Sequence, residues 1–132
     1  MNFNRKAIIQ GTLVFIGLYT LQILLIPVLA KFVDGGWKSV GLSGFRQVLG
    51  VAICLGAGYV AGRIAGERGF LHGFNAGAFG TLLTAVAAVA FSFMFGIQAP
   101  FLDSLPVWVV LHGALAGVGG LMTVNFLVGK PE

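Results

Sequence analysis

Four apolar runs occupy most of the chain, at about 7–30, 47–65, 70–96 and 107–129, and every charged residue except Arg63 lies outside them. A helix needs about 20 mostly apolar residues to cross a hydrocarbon core of about 30 Å. Each run is therefore expected to be a membrane-spanning helix. The first, AIIQGTLVFIGLYTLQILLIPVLA, follows Arg5 and Lys6 and ends in a VLA resembling a signal-peptidase site. The apolar region of a signal peptide spans about 7–15 residues, and this run is longer, so it is expected to stay as a span. Pro27 in its last turn predicts a local bend. The second run is short, and Gln47 and Arg63 at its ends can snorkel to the interfaces. The third is long enough to tilt. The fourth is introduced by SLPVW, where Pro106 suits a first helical turn, and Trp37 and Trp108 suit the headgroup belt.

The connections agree with these spans. Residues 31–47 are polar and Gly-rich, with room for a short interfacial helix. Residues 66–69, GERG, form a tight turn, and 97–106 a short loop. No second domain or low-complexity tail is visible. The expected fold is an all-α membrane protein, a single four-span domain packed as a small bundle.

Composition supports the same class. The chain is 58% hydrophobic and 9% charged, with a mean hydropathy of +0.97. A soluble domain carries about 25% charged residues, so this one lacks the polar surface to face water on all sides. The net charge of +4 comes from only eight Lys and Arg placed between the runs. That placement fits topology and contact with anionic headgroups of the lipid bilayer, not nucleic acid. The single cysteine, Cys54, excludes an internal disulfide and a Cys-cluster metal site.

The acids Asp34, Glu67, Asp103 and Glu132 all lie in loops or at the end, so no carboxylate inside a span can carry coupled protons or cations. There is no Walker loop, HExxH or Ser nucleophile elbow. The reading is a non-enzymatic protein with no cofactor and no metal. Orientation follows the basic residues. Arg5, Lys6, Arg63, Arg68 and Lys130 share one side, and Lys31, Lys38 and Arg46 the other, which places both termini in the cytoplasm.

One ten-residue string occurs twice. LHGFNAGAFG begins at Leu71 and LHGALAGVGG at Leu111. Residues four apart share a helix face, so Gly73 with Gly77 and Gly113 with Gly117 form two grooves. Gly58, Gly62 and Gly66 form a third. Small residues at this spacing let backbones approach closely, which holds membrane helices together. In antiparallel spans the two strings point in opposite directions, as in the inverted repeats of transporters. The match covers one helix each and no multi-span unit, which favours plain helix packing.

His72 and His112, the only histidines, occupy the same motif position. An ionisable group in a span is a functional hypothesis by default. Antiparallel helices would hold the two apart, so each is expected to be satisfied by a neighbouring backbone carbonyl, and shared haem ligation is disfavoured. Asn75, Asn125, Gln10, Gln22, Thr81 and Thr84 can also bond across helices. Asn75, one turn beyond His72, is the next polar residue of interest.

The stretch 56–77, GAGYVAGRIAGERGFLHGFNAG, resembles a signature of small four-span bacterial membrane proteins: a Gly pair, Ala-Gly-Arg, a Gly turn, then Leu-His-Gly. The resemblance covers the second span to the middle of the third. It implies four-span topology and residence in a bacterial inner membrane, and no particular activity. Small fluoride channels share the basic four-span plan, but their Thr/Ser/Phe-rich break is missing here. Small multidrug exporters need a Glu in the first span, also missing. The expectation is a homo-oligomer or a subunit of a membrane complex. The alternative is a small channel or transporter for an anion or small neutral solute at an oligomer interface, with Asn75 and the histidines on its path.

Overall fold

Asn4 starts the first helix: its side-chain oxygen accepts from the Ala7 N–H at 3.2 Å, satisfying one of the donors a helix start leaves free. In the computed structural model of the chain, which describes residues 3–96 and 103–127 (the last four as backbone only), four helices follow. They are α1 (Arg5–Ala30), α2 (Val40–Ala65), α3 (Gly69–Phe95) and α4 (Leu105–Leu127). All four are long and apolar enough to cross a membrane. Pro27 is carried in the last turn of α1. Most of the 97–106 loop, Lys130 and the side chain of Asn125 lie outside the described residues.

The second helix begins seven residues before position 47. Ser39 caps it by accepting from the Leu42 N–H at 3.3 Å, and Leu42 packs with Ile26 and Ala30 of α1. Gly41, Ser43 and Gly44 dilute the hydropathy there without stopping a helix that has a cap and a buried anchor. Only residues 31–39 connect α1 to α2, with a 3-10 turn at Gly36–Lys38. At 26 residues, α2 is about 39 Å long, so its first turns reach beyond the hydrocarbon core.

The helices α2 and α3 touch each other, and both touch α1 and α4. Small side chains fill the centre: Ala7, Ala57, Ala61, Ala76 and Ala116 are wholly buried, and Phe15 and His72 are the largest fully buried side chains among the described residues. Large apolar side chains such as Leu24, Val48, Phe93 and Val110 point outward. Lipid tails are as apolar as leucine, so bulky side chains gain little by turning inward, and close backbone contact becomes the useful core interaction.

Candidate functional site

Ala116, at the sixth position of the second LHG string, is the meeting point of three helices. A Cβ placed on Gly58 of α2 or on Gly73 of α3 would overlap the Ala116 carbonyl. One on Gly77 would fall 2.6 Å from the His112 carbonyl oxygen and 2.7 Å from Ala116 Cβ. Gly62 of α2 lies against Thr123 and Gly120, with 2.6 Å and 2.7 Å left for a Cβ. At these glycines a side chain would displace a neighbouring backbone.

The other glycines singled out by spacing behave differently. A Cβ on Gly113 or Gly117 would first meet the rings of Phe74 and Phe70, at 3.0 Å and 2.6 Å, although the Gly117 backbone itself stands close to Gly73 of α3. Gly66 belongs to no groove. It caps α2 in the left-handed region (φ 72°), its N–H bonds Gly62 O at 3.0 Å, and nothing lies within 4 Å of its Cβ position. A helix end needs a left-handed residue more than it needs a third small one.

Spacing alone missed four tight glycines. Gly11 sits against Ala61 and Ala76, Gly80 against Phe15, Gly119 against the Leu55 carbonyl, and Gly120 against the Gly69 carbonyl. Gly80 and Gly120 end the two strings, and that repetition was the available signal. Gly11 carried none.

His72 closes one end of the bundle. Its Nδ1 lies 3.0 Å from the Arg68 carbonyl and its Nε2 accepts from the Asn4 N–H at 3.0 Å. That pattern requires the proton on Nδ1. Asn4 Nδ2 also donates to Ile64 O at 3.5 Å, so Asn4 ties α1 to the α2–α3 corner. Phe3 meets the imidazole edge to face. Asn75 does not join this cluster, because its amide donates to Leu71 O of its own helix at 2.7 Å.

His112 serves another place. Its Nδ1 is 2.9 Å from Thr81 Oγ1, and the Thr81 hydroxyl donates to Gly77 O at 2.8 Å. Thr81 has one hydroxyl proton, so His112 Nδ1 is the donor in this pair and Nε2 is left as an acceptor. Phe15, Tyr19 and Trp108 pack their rings around the imidazole. Thr81 is twelve residues into α3, about 18 Å along it, which sets His112 near mid-depth and not at an end of the bundle.

A cavity of about 610 Å³ opens beside His112, between α1 and α3. Tyr19, Thr20, Thr81, Thr84, Trp108 and His112 supply its polar groups, Arg46 of α2 stands on its wall, and the rest is apolar. His72 and Asn75 are not among its lining residues, so the sequence-predicted polar residues do not converge on one path. Gln22 crosses from α1 to α2, donating to Arg46 O at 3.2 Å, and Thr12 from α1 to α3, donating to Ala76 O at 3.4 Å. Thr84 bonds Gly80 O of its own helix at 2.8 Å. Among the described residues, no three His, Cys, Asp or Glu side chains gather as a metal site.

Four packed apolar helices of spanning length define a multi-pass membrane protein. Compared with known proteins, the chain matches no family model, no curated protein and no solved structure.

Proposed function

We propose that the protein is a non-enzymatic component of a membrane assembly, associating with a second copy of itself or with another membrane subunit through the outer face of α2. One observation carries this reading. Gly44, Val48, Ala52 and Gly56 follow one another at four-residue spacing along α2; the first three are exposed, and Gly56 is partly so. A Cβ on Gly44 or Gly56 would meet nothing within 4 Å. Glycine within a helix costs about 1 kcal/mol against alanine. Gly58, Gly62, Gly73 and Gly77 offset that cost by close backbone contact within the bundle, whereas Gly44 and Gly56 would do so only against a further helix.

Native mass spectrometry of detergent-purified protein tests this. The parent should carry more than one chain per particle, and Gly44→Leu with Gly56→Leu should release monomers that melt like the parent. Monomeric parent protein, with no other chain retained, would reject the reading.

The resemblance of 56–77 to small four-span bacterial proteins supports residence in a bacterial inner membrane. The greater number of basic residues at the end holding Arg5, Lys6, Arg63 and Arg68 supports cytoplasmic termini. A small channel or transporter formed at the oligomer interface is the second reading, favoured by the cavity beside His112.

A further inference from the structure

Arg46 is the unusual group on the wall between α1 and α3. It lies six residues into α2, about 9 Å from the helix start, where a long basic side chain reaches the boundary of headgroup and acyl chain. Among the described residues no carboxylate pairs with it, and neither Asp34 nor Asp103 lines the cavity. A cation beside a low-dielectric space attracts an anion strongly, and here the described residues supply none.

The cavity also has a direction. Its wall on α1 runs from Phe15 to Leu24 and on α3 from Thr81 to Phe91, about 13–15 Å along the helix axes. The backbone of Arg46 is level with Gln22, which bonds it, so the charge stands toward the headgroup end. The deep end holds His112 and Thr81. Between them the surface is mostly apolar, Ile23, Leu83, Ala87, Ala88 and Phe91 standing beside the hydroxyls of Thr20 and Thr84. A volume of about 610 Å³ falls within the range of about 300–1,000 Å³ typical of small-molecule sites.

We propose that this cleft binds an amphiphile with an anionic head and an acyl chain, the head on Arg46 and the chain laid along α3 over Leu83, Ala87 and Ala88 toward His112. The inference rests on the cavity and on Arg46 at its wall, independently of association through α2. A phospholipid and a free fatty acid offer the same chemistry, an anionic oxygen group on an acyl chain.

Trp108 lines the cavity and Trp37 does not, so in the full-length chain carrying Trp37→Phe the remaining tryptophan is the one at this site. The protein is reconstituted in phosphatidylcholine vesicles with increasing shares of dibrominated phosphatidylglycerol, dibrominated phosphatidylcholine or 9,10-dibromostearate, whose bromines quench a tryptophan they touch. One surface arginine favours an anionic lipid by about fivefold, so an anionic probe should quench Trp108 at about one-fifth the mole fraction the phosphatidylcholine probe needs. Arg46→Lys should keep that preference and Arg46→Gln should lose it. Ala88→Phe, which fills the cleft, should weaken quenching by all three probes, each variant first being checked for parent-like elution and melting. Phosphatidylglycerol ahead of dibromostearate would assign the head to a phospholipid, and the reverse order to a fatty acid. Equal quenching by the phosphatidylglycerol and phosphatidylcholine probes, or a preference that survives Arg46→Gln, would overturn the proposal.

Discussion

At Ala116 a single backbone carbonyl is approached from α2 by Gly58 and from α3 by Gly73. Neither approach survives a methyl group unless a helix moves. Gly58→Ala and Gly73→Ala should therefore each cost about 1–3 kcal/mol, as overpacking does, and lower the melting temperature in detergent. Gly44→Ala, with open space around its Cβ, should leave the melt unchanged or raise it by the helix-propensity gain of about 1 kcal/mol. Identical melts for all three variants would contradict the packing described here. At this scale the sequence was informative where a rule was local. Four-residue spacing found Gly58, Gly62, Gly73 and Gly77. It could not show that Gly113 and Gly117 receive the rings of Phe74 and Phe70, because which side chain fills a groove depends on the register of the neighbouring helix. Nor could it show that Asn4, three residues from its own helix partner, would also bond His72 across 68 positions.

The α2–α3 corner shows the same division among elements. The Gly-rich GERG predicts a tight turn, yet its dihedral angles are not legible in the letters. Gly66 has φ 72°, and Arg68, with φ 48°, is the one non-glycine in the left-handed region among the described residues. Left-handed geometry costs a side chain about 1–2 kcal/mol. Gly66→Ala should therefore lower stability by about 1 kcal/mol, and Arg68→Gly should raise it or leave it level. Chemical denaturation of both variants in mixed micelles measures the pair, and a loss at Arg68→Gly would show that the arginine side chain itself holds the corner. The helix α2 starts at Val40, ahead of the apolar run read from 47, for a related reason. Hydropathy reads Gly41, Ser43 and Gly44 as a break, while the helix depends on the Ser39 cap and on Leu42 packing against α1.

For the whole molecule, the number of helices and their order were legible because a bilayer imposes length and apolarity on every span. Their lateral arrangement was not, since it follows from tertiary contacts between residues far apart in sequence. Orientation is a separate expectation. On a Cys54→Ala background, a cysteine at Glu67 should label from the cytoplasmic side and one at Ser104 from outside; the opposite result would invert the topology, and labelling from both sides would indicate dual insertion. The central claim concerns the outer face of α2, and two-fold association of equally oriented chains brings a residue near the axis against its own copy. The most direct measurement is disulfide trapping in native membranes with single cysteines on the Cys54→Ala background. Ala52→Cys on the outer ridge of α2 should give a strong band at the mass of two chains, or of this chain with another subunit, while Leu121→Cys on α4 should give little. No band from Ala52→Cys, or equal bands from both positions, would contradict the account.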